Sequence, residues 1–534
     1  MTKPQLTPLL FITFLCTSVS ALMKGGKKEE HKRWVLLPLL LFTFAPLLHA
    51  QVEPRTLPVR VEDALRFSNT EVFGSARFFG TGGSMTAIGV DGSTLHTNPA
   101  GIGWNRFSAA QITPGFALNN LTARLRNGTG NEENSITDGN FVVPSASLVW
   151  AGDTRSLNWS TFNFGISYSR LADFNETIAY SGRSPGSIVQ SINADIDAGR
   201  ISEFREQLAL NIPNIFLETD NGAFITDFDL AENENSPIRR EGRVERSGSL
   251  SEIALGFGGN YLEKVLWGVT IGIPTIDFTE TRVYDEIDDQ NQVTFFDDAG
   301  FDNAGFDELL ELTGSGVNFK FGIIGRPTDN LRLSAAVHSP TFWSVDEVYE
   351  TTFEYNFTDS GQAQGGTELS PRSEIVYNLQ TPWKFHFGAG YLFGRSGFLS
   401  VDADYSNLAG TSFSFDDFAT IDEDGNAEID RELKGALGVR VGGELNLKPF
   451  QVRAGVGYRQ SPLVTPRNDE DTSNLNFSGG VGYSTGKFFI DAAARLEGNN
   501  AYFAPFSSVA VDGQVVGTDR NRITGLVTVG FRGF

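Results

Sequence analysis

Apolar and polar side chains alternate along most of the chain after residue 105. In the stretch FLSVDADYSNL, Leu399, Val401, Ala403 and Tyr405 share one face, and small or acidic residues take the other. The stretches QVRAGVGYRQ, FFIDAAARLE and LRLSAAVHSP alternate in the same way. Because successive side chains of a strand point to opposite faces, this period of two predicts β-strands with one apolar face.

About fourteen such stretches can be counted, with boundaries good to a few residues. They start near Phe107, Val142, Leu157, Leu250, Val265, Gly316, Leu331, Arg372, Gly397, Leu433, Phe450, Leu475, Lys487 and Asn521. Short turns alternate with long connections, which we place at 119–141, 171–249, 287–314, 359–370, 417–432, 462–473 and 499–520. This alternation is typical of outer-membrane barrels, whereas a soluble sandwich has no reason to keep its long loops at one end.

The pattern therefore predicts an all-β fold, a 14-stranded antiparallel transmembrane β-barrel. Only helices and closed barrels satisfy their backbone polar groups in lipid, and no segment after residue 50 has about 18 uninterrupted apolar residues. The last strand ends in Phe534 and resembles the terminal signal that the barrel-assembly machinery reads. Five tryptophans near strand ends fit an interfacial aromatic girdle: Trp150, Trp159, Trp267, Trp343 and Trp383.

The first fifty residues have the pattern of a targeting segment. Basic residues precede the apolar run WVLLPLLLFTFAPLLHA, and Ala50 precedes polar QVEPR, which predicts a signal peptide over 1–50. A second apolar run, Leu6 to Leu22, lies before it. We interpret this run as upstream of a true start at Met23; a membrane anchor is the alternative.

Composition narrows the function. Residues 1–50 hold six Lys/Arg and two Asp/Glu, so the remainder carries 36 basic and 63 acidic residues and a net charge of −27. That sign argues against a nucleic-acid partner. The only cysteine is Cys16, so no disulfide, cysteine nucleophile or cysteine metal site is expected after residue 50. DEDGNAEID fails the EF-hand pattern, because Leu433 is twelfth from Asp422, and we expect neither a metal site nor a cofactor.

Residues 51–105 lack sustained alternation. VRVEDALRFSN predicts a short helix, and the run after it contains Gly80, Gly82 and Gly83. The turn Asn98-Pro99-Ala100-Gly101 follows: proline fixes φ, and an asparagine side chain bonds nearby backbone. The Gly-rich run, the Asn-Pro-Ala-Gly turn and the hairpin GVNFKFGIIGRPTDNLRLSAAVHSP together resemble the FadL/TodX family of outer-membrane transporters.

The resemblance implies a monomeric barrel, residues 106–534, with its largest outer loop at 171–249 and an N-terminal hatch (plug), residues 51–105, inside the lumen. It implies uptake of hydrophobic small molecules, such as long-chain fatty acids or hydrocarbons, across the Gram-negative outer membrane. The hatch would act as a gate, and release would be lateral, beside a strand kink. Expected partners are the hydrophobic ligand, outer-membrane lipid and, during biogenesis, the barrel-assembly machinery. A barrel component of a secretion or surface-assembly system is the alternative.

Two loop segments have helical spacing and are candidates for ligand capture, since an amphipathic helix offers an apolar face. Their residues are Ile188, Ile192, Ile196, Phe204 and Leu208 in the first, and Phe306, Leu309 and Leu310 in the second.

A lipase-type enzyme is a distant alternative, for which His338 beside Ser339 is the one candidate pair; we assign no catalytic residue. Pro274 and Pro382, inside predicted strands, point to breaks in pairing.

Overall fold

The computed structural model describes residues 61–533, except 127–128, 155, 219–223, 231–236, 295–298, 416–418, 466–471 and 507–513. The predicted signal peptide, residues 51–60 of the predicted hatch, and Phe534 lie outside the described residues. Residues 61–105 of the predicted hatch are described, and we call them the inner segment. Among the described residues, no helix is long and apolar enough to cross a membrane.

Fourteen antiparallel wall strands follow one another along the chain. Their bounds are β1 Ala109–Leu125, β2 Asn134–Asp153, β3 Trp159–Asp173, β4 Ile238–Tyr261, β5 Val265–Ile287, β6 Gly300–Gly325, β7 Leu331–His338 with Phe342–Asp359, β8 Ser373–Gln380 with Lys384–Leu392, β9 Gly397–Asn407 with Ser412–Ser414, β10 Gly435–Leu447, β11 Phe450–Arg459, β12 Asn474–Ser484, β13 Phe488–Phe503 and β14 Val516–Arg532. Three of these strands, β7 to β9, are each interrupted once.

The sheet closes on itself, because β14 pairs with β1 from Ala109↔Arg532 to Leu125↔Val516. Apolar side chains such as Phe116, Phe257 and Phe321 are exposed on the outer face, as lipid contact requires, and the alternate positions face inward. The prediction of a closed 14-stranded antiparallel barrel is confirmed, and the sandwich alternative is excluded. Trp343 departs from the predicted girdle: it is buried inside, with its ring centroid 5.2 Å from that of Phe67.

Several strands extend further outward than predicted, so the long connections are shorter. β2, β4 and β6 begin at Asn134, Ile238 and Gly300, eight or more residues before their predicted starts. The predicted helix FDNAGFDELLEL was wrong, because it lies in β6 and pairs with β5 and β7 on both sides. Phe306 and Leu310 face inward, because their spacing of four also fits a period of two, and Leu309 lies on the other face.

The other predicted loop helix is present as two helices, Ile188–Asp197 and Glu206–Asn211. Gly199 follows the first with a φ of 73°, the left-handed conformation that commonly ends a helix. The outer connections also contain helices Asp227–Leu230 and Ala419–Glu432, and strands Thr129–Glu132, Glu176–Ser184, Leu217–Glu218, Phe224–Ile225 and Gln362–Leu369.

The inner segment consists of short capped helices. Val61–Ser68 and Ala76–Gly80 are α-helices, and Gly92–His96 and Pro99–Trp104 are 3₁₀-helices. Ser75, Asp91 and Asn98 cap the last three by accepting hydrogen bonds from the first-turn backbone N–H groups. Pro99 occupies the first helical position, where its missing N–H costs no bond. These local bonds let a segment without strand pairing remain folded and buried.

Candidate functional site: the cavity behind the inner segment

The inner segment contacts inward-facing side chains of wall strands around the barrel. Arg77 donates two hydrogen bonds to Glu444 of β10, at 2.8 and 3.1 Å. The N–H of Thr86 donates to Asp402 of β9 at 2.8 Å. Further bonds reach β3, β4, β6, β7, β13 and β14. Residues 61–105 therefore lie inside the barrel and are fixed to its wall by polar contacts.

The structure places the predicted hatch residues against that wall. Asn98 Nδ2 donates to Thr86 O at 3.0 Å and to Ile323 O of β6 at 3.4 Å. Asn98 Oδ1 lies so close to Gly322 that a Cβ at this glycine would overlap it. Pro99, Ala100 and Gly101 are buried in the last 3₁₀-helix, and Gly80, Gly82 and Gly83 form the turn that lies near β11 to β13.

A buried charged cluster joins the inner segment to β4 and β6. His96 Nδ1 is 2.8 Å from Glu252 Oε1, and Lys320 Nζ donates to the same oxygen at 2.6 Å. Burial lowers the pKa of His96, while the bond to Glu252 opposes that shift. A neutral His96 donates through Nδ1 to Glu252 and accepts at Nε2 from Ser167, 3.1 Å away. The cluster thus satisfies a histidine and a carboxylate that would otherwise be buried without partners.

His338 and His386 lie beside this cluster, with ring centroids 4.4 Å apart. His338 Nε2 donates to Thr97 O at 2.6 Å, whereas the Ser339 hydroxyl donates to Pro340 O at 2.8 Å. His338 is therefore committed to the inner segment rather than to Ser339. Within the described ranges, no three His, Cys, Asp or Glu side chains are arranged to hold a metal ion.

A cavity that is partly open to solvent lies between the inner segment and the wall. Phe67, Val72 and Phe78 line it from the inner segment, and Leu171, Leu250 and Trp343 line it from the wall. Ligand sites are usually concave and mainly apolar with a few polar groups. This cavity is more polar than that, because 19 of its 30 lining residues are polar or charged, which suits an amphiphile better than a hydrocarbon.

Cations exceed carboxylates by one in the cavity lining. Lys320, Lys384, Arg440 and Arg459 face Glu71, Glu252 and Asp404. Lys320 pairs with Glu252, and Arg440 with Asp404 at 2.7 Å. Among the described residues, the Lys384 ammonium has one hydrogen bond, to Thr70 Oγ1 at 2.7 Å, and no ion pair. His386 Nε2, Trp343 Nε1 and Thr97 Oγ1, which belong to other lining residues, are buried without a hydrogen-bond partner in the described structure.

The wall beside the cavity has a gap between β2 and β3. Their register runs from Asp153↔Thr161 to Ser145↔Ser169 and then ends, so in the described wall residues 134–144 of β2 have no backbone partner on β3. Pro144 stands where the pairing ends, and β3 bulges at Leu171. The carbonyls of Leu171 and Arg170 accept from the N–H groups of Glu71 and Phe73 at 3.0 and 3.2 Å. The inner segment therefore takes the place of β2 on the bent part of β3.

The predicted ligand-capture residues are packed rather than exposed. Ile188, Ile192, Ile196, Leu208 and Phe306 belong to one buried cluster beneath the outer loops. Phe204 and Leu310 belong to a second cluster, which also contains Ala64 and Phe67 of the inner segment. Leu309 is half-buried on the opposite face of β6. The structure does not bring these residues together into one groove.

Sequence reasoning missed Glu252, Lys320, Lys384 and Leu171. The available signal was a charged side chain on the small, polar face of a strand: Lys320 follows Asn318 on that face, and Lys384 lies in WKFHF. Their convergence depends on pairing between strands far apart in sequence, which periodicity does not give.

Comparison with known proteins supports the fold. No protein family and no curated protein matches the sequence. A Pseudomonas aeruginosa FadL homologue matches in structure with a TM-score of 0.53 at 13% identity, over 86% of this chain and 98% of that chain. The Pseudomonas putida toluene transporter TodX (TM-score 0.48, 12% identity) and the Ralstonia pickettii toluene transporter TbuX (0.46, 12%) each match over 86% of this chain and 98% of their own. The chain has the fold of the FadL homologue, so the resemblance seen in its motifs is confirmed at the level of fold.

Proposed function

We propose that this protein is an outer-membrane channel for the uptake of hydrophobic small molecules, with the inner segment as its gate. The observation that carries the proposal is the position of the cavity: Leu171, the bulged residue of β3, lines it, and β3 at this point is bonded to the inner segment instead of β2. A ligand in the cavity reaches the lipid between β2 and β3 when residues 71–73 leave β3.

The ligand class follows from the lining. Phe67, Leu171 and Leu250 offer an apolar surface for a chain or ring, and Lys384 supplies a cation without an ion-pair partner. A partly buried cation is stabilised by an anion, so the preferred ligand is a single-chain amphiphile with a carboxylate head, such as a long-chain fatty acid. A neutral hydrocarbon would leave Lys384 unpaired.

Substitution of Lys384 tests the ligand class. Lys384→Met is expected to reduce [¹⁴C]oleate uptake about tenfold while leaving toluene uptake unchanged, and Lys384→Arg is expected to retain most oleate uptake, because the charge persists. Lys487→Met, in a turn between β12 and β13, is the matched control. Mass spectrometry of small molecules extracted from the purified protein gives an independent readout. Equal loss of both uptakes in Lys384→Met would contradict a carboxylate-binding role.

In the described part of the outer loop, the helices have no free apolar groove for ligand capture in this conformation. Helices Ile188–Asp197 and Glu206–Asn211 pack against the outer ends of the wall, and their apolar residues are already buried. Capture there would require the loop to move.

The outer-membrane location and a monomeric state are supported by the apolar outer face of a barrel that closes within one chain.

A further inference from the structure

A second zone of broken pairing crosses the wall well away from β2 and β3. The register of β5 with β6 skips Ile273 and Pro274, and that of β6 with β7 skips from Val317↔Phe342 to Lys320↔His338. The breaks continue through Ser339–Thr341 of β7 and Thr381–Trp383 of β8, and end at residues 408–411, between the two segments of β9. We call this zone the seam. It runs across five neighbouring strands, whereas β12, β13 and β14 pair without interruption.

Prolines explain the seam from the sequence upward. Because Phe342 pairs with Gln380 and His338 with Lys384, Pro340 stands opposite Pro382. Neither can donate to a neighbouring strand, and Pro274 adds a third missing donor on β5. Hydroxyls replace part of the ladder: Thr341 N–H donates to Thr381 Oγ1 and Phe319 N–H to Ser339 Oγ, both at 2.9 Å. Backbone bonds still cross the seam, from Ser339 N–H to Phe319 O at 2.8 Å and from Thr381 N–H to Thr341 O at 3.1 Å, so the ladder is thinned here rather than absent.

The cavity lies directly behind the seam. Pro274, Ser339, Thr341, Thr381, Pro382 and Leu408 all line it. On the lipid side, Phe319, Phe342 and Trp383 are each more than half exposed. Beyond the seam the outward residues become polar, with Thr275 and Asp277 on β5 and Ser344 and Asp346 on β7. The seam therefore marks the outer edge of the apolar belt, where lipid chains meet headgroups.

The inner segment holds the seam from inside. Ser68 Oγ and Thr411 Oγ1 are 2.7 Å apart, and Thr70 Oγ1 accepts from Lys384 at 2.7 Å. Phe67 packs edge-on against Trp343. Residues 67–70 thus contact β7, β8 and β9 at the seam itself, just as residues 71–73 contact β3 at the other gap. Withdrawal of residues 67–73 would therefore release both the seam and the β2–β3 gap from the inner segment.

We propose that the seam is a second lateral portal, through which a carboxylate-headed amphiphile passes between the cavity and the outer leaflet. Its position at the edge of the apolar belt keeps the head group near water while the chain enters the lipid. The proposal rests on the proposed function, because it assigns a route to the ligand of the same cavity.

Disulfide locks test the two portals separately. The chain has a single cysteine, Cys16, so a Cys16→Ser background provides a clean start. T341C/T381C joins opposite residues of β7 and β8 across the seam, and N140C/D173C joins side chains that lie 3.1 Å apart across the β2–β3 gap. V481C/A492C, across the intact β12–β13 ladder, is the matched control. Each variant reduced with dithiothreitol is its own control for folding.

Initial [¹⁴C]oleate uptake is measured in Gram-negative host cells that lack their own fatty acid channel. Oxidation of T341C/T381C is expected to lower uptake at least twofold, reduction is expected to restore it, and V481C/A492C should be insensitive. Unchanged uptake in oxidised T341C/T381C, with loss in oxidised N140C/D173C, overturns the seam portal and leaves the proposed function intact. Unchanged uptake with both locks oxidised together overturns lateral release altogether.

Proline replacement provides a test without a cross-link. P340T/P382T restores two backbone donors to the ladder and is expected to lower oleate uptake at least twofold. P327T, in the exposed turn between β6 and β7, is the control and should behave as the parent does. Full uptake in a P340T/P382T protein that assembles in the outer membrane would contradict a portal at the seam.

Discussion

At the scale of single residues, the closest approach between the inner segment and the wall depends on glycine. Gly322 of β6 and Gly268 of β5 leave room for Asn98 and Pro99, and a Cβ at either glycine would overlap the inner segment. Asn98 uses the space for bonds that cap a helix and join it to β6. The Asn-Pro pair was visible in the sequence, but the two glycines that receive it were indistinguishable from other strand glycines.

Gly322→Ala should therefore displace Asn98 while leaving the wall strand intact. Overpacking of a well-packed site typically costs about 1–3 kcal/mol, and we expect this loss in urea unfolding together with higher ion conductance in planar bilayers. Gly525→Ala is the control, because no atom lies within 4 Å of the added Cβ. Equal behaviour of the two variants would show that Asn98 does not depend on this contact.

Asp227 makes the outer loop sensitive to pH. Burial raises the pKa of Asp227 to about 6, and a hydrogen bond from Tyr355 opposes the rise. The pKa of Asp227 in the folded loop is above its ordinary value of 3.8, so the bound proton stabilises the folded loop. This stabilisation is fully present below pH 3.8 and is lost as the pH rises through about 6. Protease protection of the loop should fall by about 1.4 kcal/mol between pH 5 and pH 7.5, which is about half of the roughly 3 kcal/mol that the whole pKa shift represents. Asp227→Asn should remove this dependence, and Asp197→Asn, exposed in the same loop, should keep it.

At the scale of elements, the period-two alternation and the short turn sequences predicted most of the wall strands. The predicted starts of β5, β7, β9 and β11 coincide with the observed ones, because short turns such as PTDN mark them. The errors fall on the outer sides of β2, β4 and β6, where strands continue beyond the apolar belt. Outside lipid the outward face of a strand becomes polar, so the alternation of apolar and polar residues weakens. There, pairing with the neighbouring strands on both sides decides the structure.

The helix Val61–Ser68 is held in the lumen by one aromatic contact in particular. Phe67 packs on Trp343 within a buried cluster formed by β4 to β10. Phe67→Ala should cost about 3 kcal/mol, the lower end for such a truncation, and so should speed hydrogen exchange of residues 61–68 about a hundredfold. Glu62→Ala, exposed on the same helix, is the control. Unchanged exchange would mean that the helix is held by other contacts.

At the scale of the whole molecule, the sequence predicted the class of fold but not the arrangement of its interior. Strand number, loop asymmetry and the separate N-terminal segment all follow from patterns that lie within one stretch of chain. The cluster of His96, Glu252 and Lys320 does not follow from such a pattern. These residues are 68 or more positions apart along the chain, and they meet only through closure of the sheet. The seam was indicated only by Pro274 and Pro382, and Pro340 completed it.

Removal of residues 51–105 should convert a tight barrel into an open pore. The wall closes through β1 and β14 without help from this stretch, so it is expected to assemble, but its lumen would lose the residues that fill it. Single-channel conductance in planar bilayers should rise severalfold over the full-length protein. Conductance equal to that of the full-length chain would count against the inner segment as the barrier.

The contacts of the inner segment with the last strand have a consequence for biogenesis. Ala76 N–H donates to Thr528 Oγ1 of β14 at 2.7 Å, and β14 is also the strand that completes the sheet against β1. Ala76, which is translated before every wall strand, therefore meets this partner only when the last wall strand has been translated. The inner segment is therefore enclosed at the step in which β14 pairs with β1, so its entry into the lumen and the closure of the sheet belong to the same stage of assembly.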